Sequence, residues 1–335
     1  MARTRRSDPS GPGYTRIRRG KGFSYHDEAG DTIADDAVLS RIRELVIPPA
    51  WTNVWICDDE RGHIQAVGVD AAGRRQYLYH DDWRAQRDRA KFKRLPEFAE
   101  ALQPVRKALE ADLKLKGLVR ERVMACSVRL LDIGLFRVGG EDYAEENESF
   151  GLATLEKRHV SIKRGGIDFA YVAKGQVEQH QTVQDSLVVP TVLALKRRRG
   201  TPRDPLLAYR VGVGEWQDVS SAEINQWLKG VIGEEYSAKD FRTWNATVLA
   251  AMRLAGRADS SDRDKAVTGA IEEVAAVLGN TPAVCRASYV DPRVIQRYRQ
   301  GKTIAAELKR LTGRATRTDF AERAEIERAV VELIT

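Results

Sequence analysis

Three cysteines in 335 residues, Cys57, Cys126 and Cys285, lie far apart and form no CxxC pair, which leaves a disulfide scaffold and a zinc ribbon without support. The five histidines, His26, His63, His80, His159 and His180, include no HxxxH or HExxH pair, and none follows residue 180. Zinc hydrolysis therefore has no ligand set to work with. No GxxxxGK[ST] or GxGxxG loop occurs, so phosphate-cradling nucleotide chemistry has none either. Asp58-Asp59-Glu60 and Asp81-Asp82 could be proposed as metal carboxylates, but both sit where turns are expected, where acidic residues are common. The chain has no apolar run of about 18 residues and no signal-peptide core, so a soluble, cytosolic protein is expected.

What is present is apolar matter and positive charge. Hydrophobic residues make up 42% and charged residues 31%, enough to build packed cores. At about 150 residues per domain, the length predicts about two domains. The net charge is +7, and the first 22 residues hold Arg3, Arg5, Arg6, Arg16, Arg18, Arg19 and Lys21 against Asp8 alone. The remainder is nearly neutral overall but locally basic, at Arg84–Arg94 and at Lys196, Arg197, Arg198, Arg199 and Arg203. One such cluster is an ordinary solvated face. Several clusters together predict a polyanionic partner.

Residues 1–22, rich in Arg, Gly, Pro and Ser, read as a flexible basic arm. Residues 38–46 suit a short amphipathic helix stopped by Pro48 and Pro49. Strand-like segments follow at 53–57, 64–69 and 76–79, separated by turn residues, and predict a small antiparallel sheet domain over 23–90. From Phe98 to Phe136 the apolar spacing is helical. Residues 169–172 and 177–180 then predict a hairpin with Lys174 at its tip. After Gln184 the chain reads as helical to its end. Ser220…Glu223 predicts a capping box, Ser237 opens a helix closed by Gly256, and Thr281-Pro282 and Asp291-Pro292 each pair a cap with Pro at the first helical position. The fold class is α+β: a small N-terminal antiparallel β-sheet domain, then a larger, mainly helical domain (91–335) with a β-hairpin insert.

Three residues stand out, and the two arginines each have two readings. Arg242 falls in the first turn of a predicted helix, where it opposes the dipole. It is either a tolerated surface residue or, with the helix N-terminus, part of an anion site. Arg137 follows an apolar helix and precedes Val138-Gly139-Gly140, so it either complements that helix's dipole or faces an anion. Tyr289, just before Asp291-Pro292, reads by itself as a core residue with a wet hydroxyl.

The run Arg137-Val-Gly-Gly-Glu-Asp-Tyr143, with Glu146-Asn147 and Gly151-Leu-Ala-Thr-Leu155, resembles the type IB DNA topoisomerases, in particular the compact poxvirus and bacterial branch. Lys174, Phe241-Arg242-Thr-Trp244, Leu278-Gly-Asn-Thr-Pro282 and Ser288-Tyr289 continue the match in family order, over roughly residues 20–300. The resemblance implies a catalytic set of Arg137, Lys174, Arg242, Asn280 and Tyr289. The departure is Asn280, where poxvirus members carry histidine; an amide can donate to a phosphate oxygen but cannot titrate near neutral pH. The resemblance also implies DNA contacts from Arg75, Gln76, Tyr77, Tyr79, Arg84, Arg87, Lys91 and Tyr143. Strand alternation, however, puts Gln76 on the face opposite Tyr77.

The residue types suit the implied chemistry. Two forked guanidiniums can neutralise the non-bridging oxygens of a phosphodiester as charge builds. Tyr289 would attack phosphorus to give a 3′-phosphotyrosyl link and a free 5′-hydroxyl, and Lys174 could supply the proton that the leaving oxygen needs. The ester link conserves the bond's energy, so neither ATP, a metal nor another cofactor is expected. The implied protein is a monomer that clamps double-stranded DNA, works in the cytoplasm on the nucleoid, and has no business with membranes. Two alternatives stay open: a tyrosine recombinase, although no HxxR precedes Arg242, and a non-catalytic DNA-binding module in which Tyr289 is core.

Overall fold

The computed structural model describes residues 4–141, 148–163, 166–311 and 320–335. The chain divides into two compact units, Met1–Lys93 and Arg94–Thr335. The first is built on a five-stranded antiparallel sheet of β1 (Tyr14–Arg19), β2 (Gly22–His26), β3 (Thr52–Ile56), β4 (Ile64–Val69) and β5 (Arg75–Tyr79), in the order β2-β1-β3-β4-β5. Helix α1 (Asp36–Glu44) lies between β2 and β3 in the chain, capped by Asp35, whose carboxylate accepts from Ala37 N at 2.8 Å. Alternation along β3 turns Val54 and Ile56 inward, where they pack with Ile42 of α1 and Ala66 of β4. Helix α2 (Asp81–Lys93) ends the unit and carries the basic stretch.

The described part of the expected flexible arm is built into the sheet instead. Residues 14–22 form β1 and its turn into β2, and β1 pairs with both β2 and β3. Upstream, Arg5 bridges to Gly62, and Ser7 Oγ donates to Ile64 O at 3.0 Å. The strand hides in the composition because one of its arginines faces inward. Arg16 donates to the carbonyls of Ile47, Pro48 and Trp51 at 3.2, 3.0 and 2.7 Å and lies 4.2 Å over the Phe23 ring. A basic residue there replaces the apolar one that a strand pattern needs in order to be read.

The second unit is mainly helical. Helices α3 (Leu95–Leu113) and α4 (Arg120–Gly134) precede an antiparallel sheet of β6 (Val160–Lys163), β7 (Gly166–Ala173) and β8 (Val177–Val183). There follow α5 (Val188–Arg197), the two-stranded β9 (Ala208–Arg210) and β10 (Trp216–Asp218), α6 (Ser221–Ile232), α7 (Ala238–Ala255), α8 (Arg263–Leu278), α9 (Pro282–Ser288), α10 (Pro292–Arg299), α11 (Ala305–Leu311) and α12 (Phe320–Ile334). The reading of everything beyond Gln184 as helical missed β9 and β10, three residues each, too short to show a period. The Ser220 cap forms, with Glu223 N at 3.1 Å, but the Glu223 carboxylate turns to Arg120 instead of closing the box. The fold is thus an antiparallel sheet unit followed by a helical unit with small sheets. No helix among the described residues is long and apolar enough to cross a membrane.

Candidate active site

Four segment ends converge in the helical unit. Helix α7 starts at a reciprocal cap, Ser237 N donating to Asp240 Oδ2 at 2.8 Å. Phe241 and Trp244 bury its inner face, and Arg242 is buried with them, only 5% exposed. A buried guanidinium needs acceptors. Arg242 finds them at two helix C-termini, donating from Nη1 to Leu135 O and from Nη2 to Leu278 O at 2.9 Å. Leu135, in the left-handed region (φ 56°), ends α4, and Leu278 ends α8. Carbonyls exposed at a helix C-terminus carry partial negative charge, so both ends favour a cation. Burial, then the neighbouring Arg137, nevertheless lowers the Arg242 pKa to about 10, opposed by Tyr289. Its Nε is buried and has no hydrogen-bond partner among the described residues. Its Cζ lies 5.4 Å from the centroid of the Tyr289 ring.

Arg137 leaves the end of α4 on a loop fixed by backbone bonds, with Leu152 N donating to its carbonyl at 2.8 Å and Ala153 N to Val138 O at 2.7 Å. The two segments touch through glycines. A Cβ on Gly151 would stand 2.4 Å from Gly139 Cα, and Gly139 itself has φ 89°. This contact accounts for the Val-Gly-Gly and Gly-Leu-Ala-Thr runs. The Arg137 side chain donates from Nη2 to Asn280 Oδ1 at 2.7 Å and to Gly279 O at 3.2 Å. Guanidinium can only donate, so Asn280 must turn Oδ1 toward it. The amide Nδ2 is left buried without a hydrogen-bond partner among the described residues, a donor in search of an acceptor.

Asn280 is placed by the way α8 stops. Gly279 adopts φ 62°, its N–H reaches Ala276 O at 3.2 Å, and Asn280 N reaches Ala275 O at 3.0 Å, the double bond pattern of a glycine-ended helix. Thr281 then caps α9, accepting from Val284 N at 3.3 Å, with Pro282 in the first turn. Two turns later α9 ends at Tyr289, which is half-buried. A seven-residue helix thus spaces Asn280 from Tyr289.

The β7–β8 hairpin supports the same place. Tyr171 of β7 is buried, and burial pushes its pKa up to about 12, offset by Arg242 and Arg137 nearby. Gln179 of β8 lies against Gly279, where a Cβ would meet its Nε2 at 2.1 Å. Beyond the last pair, Ala173 with Val177, the turn carries Lys174, exposed at the tip, with Gly175 and Gln176 at φ 83° and 58°. The structure therefore brings Arg137, Arg242, Asn280 and Tyr289 together and puts Lys174 three residues along the chain from Tyr171. Tyr171 and Gln179 were missed by sequence reasoning. Nothing in an alternating strand marks which inward residue meets a distant arginine.

Among the implied DNA contacts, Arg75, Tyr77 and Tyr79 share the exposed face of the edge strand β5, the two tyrosine rings 6.1 Å apart and the Arg75 Cζ 5.6 Å from Tyr77. Gln76 faces the other way and donates to Asp70 Oδ2 at 2.9 Å. On α2, Arg84 and Arg87 lie on the basic stretch, while Lys91 pairs with Asp88 at 3.0 Å. Tyr143 lies outside the described residues.

Two guanidiniums, an amide donor and a phenol are gathered at helix ends, a set with the charge and the donors that an anion such as phosphate requires. Residues 80–314 match the family model described as the catalytic core of eukaryotic DNA topoisomerase I, and residues 22–70 match the N-terminal domain of bacterial DNA topoisomerase IB. The chain belongs to the type IB DNA topoisomerases. It is 29% identical over 297 residues to DNA topoisomerase 1B of Acanthamoeba polyphaga mimivirus, covering 86% of this chain and 87% of that one. Vaccinia virus (strain Copenhagen) DNA topoisomerase 1B is 21% identical over 83% of this chain and 87% of its own. DNA topoisomerase 1 of Mycosarcoma maydis is 26% identical over 60% of this chain, but that stretch is only 22% of the longer protein.

Proposed function

We propose that Tyr289 is the nucleophile with which this topoisomerase opens one strand of duplex DNA. Its Oη attacks phosphorus, the P–O5′ bond breaks, and the chain is held as a 3′-phosphotyrosyl ester while the other strand end turns. The 5′-hydroxyl then attacks the ester, restores the diester and frees the phenol. Arg137 and Arg242 hold the non-bridging oxygens, with Asn280 Nδ2 as a third donor. Lys174 protonates the departing 5′-oxygen from its hairpin tip. The observation that carries this reading is the contact of buried Arg242 with the Tyr289 ring, with Arg137 and Asn280 bonded alongside. Arg75, Tyr77 and Tyr79 on one strand face, Arg84, Arg87 and Lys91 on α2, and Gln76 and Tyr143 are assigned to the duplex. The protein works as a monomer that clamps the duplex, without ATP, metal or cofactor. The likeness of residues 22–70 to a bacterial domain supports a bacterial source, and in such a cell the protein would act on the nucleoid in the cytoplasm.

Supercoiled plasmid incubated with the protein in EDTA, without ATP, is expected to relax. A Tyr289→Phe variant should bind duplex normally and yield no covalent adduct on a denaturing gel. An adduct in that variant, or strand exchange between two duplexes in place of relaxation, would overturn the reading.

A further inference from the structure

Thr247 lies on α7, the helix that carries Arg242, and is completely buried. Threonine within a helix commonly returns its hydroxyl to the carbonyl four residues back, and Thr247 does so, reaching Thr243 O at 2.8 Å. It does not stop there. Its Oγ1 accepts from the backbone N–H of Asp291 at 3.1 Å, and the Tyr289 carbonyl stands 3.3 Å away, so the hydroxyl proton is shared between two carbonyls. Asp291 and Val290 are fully buried, so water cannot take the place of this hydroxyl.

The Tyr289 backbone is held from both sides. On its N-terminal side α9 holds it, with Tyr289 N donating to Cys285 O at 3.0 Å and Val290 N to the same carbonyl at 3.1 Å. On its C-terminal side the holder is Thr247 of α7. A valine would fill the same space and suit a buried helix face as well. The hydroxyl therefore answers to the Tyr289–Asp291 segment and not to the packing of α7. We propose that Thr247 is a positioning residue for the nucleophile: its hydroxyl ties the Tyr289 peptide to the helix that bears Arg242, so phenol and guanidinium keep one geometry about the phosphate. This rests on the reading of Tyr289 as nucleophile. In-line attack tolerates little displacement, and a shift of about 1 Å in a reacting group can cost on the order of 10² in rate.

The test compares Thr247→Val, which keeps shape and loses the hydroxyl, with Thr247→Ser, which keeps the hydroxyl. Covalent adduct formation is followed in single turnover on a duplex oligonucleotide at saturating protein. Noncovalent affinity is read in the Tyr289→Phe background. Thr247→Val should slow adduct formation by about tenfold or more while duplex affinity stays within about twofold, and Thr247→Ser should stay within about threefold of wild type. Thr247→Cys, with its weak thiol donor, should behave like the valine variant and serves if that one fails to fold. Wild-type adduct rates in the valine or cysteine variant, or a serine variant as slow as the valine one, would overturn the proposal. An adduct in Tyr289→Phe itself would instead remove the nucleophile on which it rests, and the two failures are distinguishable.

Discussion

Arg242 and Arg137 repel one another, and their place is secured by carbonyl and amide oxygens rather than by carboxylates. That choice matters chemically. A carboxylate partner would neutralise each guanidinium and compete with phosphate, whereas helix-end carbonyls orient the cation and leave its charge to be used. Burial already makes Arg242 reluctant to carry that charge, with its pKa at about 10, so a phosphate at the site relieves a standing cost. Asn280 shows the same division of roles, with Oδ1 turned to Arg137 and Nδ2 kept as a donor. Asn280→Leu removes both and should slow single-turnover cleavage by on the order of 10². Asn280→His keeps a ring N–H and should retain activity close to wild type. Equal rates in asparagine, leucine and histidine forms would mean the amide never touches the reacting phosphate. The site's members were legible because the motifs keep their order along the chain. Their partners were not: Leu135 is 107 residues from Arg242 and Gly279 is 142 from Arg137, and no local pattern reports a bond of that span.

Local signals predicted elements well wherever a cap or a turn fixed them. Thr281-Pro282 and Asp291-Pro292 do begin helices, and the hairpin at Lys174 closes where its turn residues lie. They failed where side-chain chemistry ran against the element's usual pattern. In β1, Arg16 binds three carbonyls from a position that a strand would normally give to an apolar residue, so the basic composition reads as an arm. The consequence is a changed prediction for the N-terminus. Deleting residues 1–22 removes β1 from between β2 and β3 and takes away the Arg16 bonds to three carbonyls, so the N-terminal unit should lose its cooperative unfolding transition. The exposed charges alone are tested by Arg18→Gln, Arg19→Gln and Lys21→Gln together. That triple variant should keep its thermal midpoint and lower the salt slope of duplex binding by about 0.9 for each phosphate that these cations neutralise. A folded deletion variant with an unchanged sheet signal by circular dichroism would restore the arm.

Within the helical unit, distant parts of the chain are joined by a buried charge network. Arg106 of α3 donates from Nε and Nη2 to Asp132 of α4 at 2.9 and 2.7 Å, and from Nη1 and Nη2 to Glu327 of α12 at 2.6 and 2.9 Å. Arg129 bonds Asp132 at 2.6 Å and Asp185 at 2.9 Å, and Arg323 bonds Glu327 at 2.9 Å and also reaches Asn245 of α7. Among the described residues three arginines face three carboxylates, so their charges balance, and removing any one member strands a charge in the interior. Glu327→Gln should cost about 3–5 kcal/mol, which for a unit of this size lowers the thermal midpoint by about 6–20 °C. A shift under about 2 °C would mean the α12 contact is not made in solution. The network also sets an acid limit. Burial pushes the Asp132 carboxyl up, but Arg106, Arg323 and Arg129 together hold it well below its ordinary value of 3.8. A carboxylate with a lowered folded pKa contributes stability that is complete above its unfolded pKa and lost as pH falls through the folded one. The stability gap between wild type and Asp132→Asn should therefore be full above about pH 4 and narrow as the solution is made more acid. Thermal midpoints of both proteins measured across that range decide the matter, because a gap that does not change with pH would show that shape, not charge, makes Asp132 necessary.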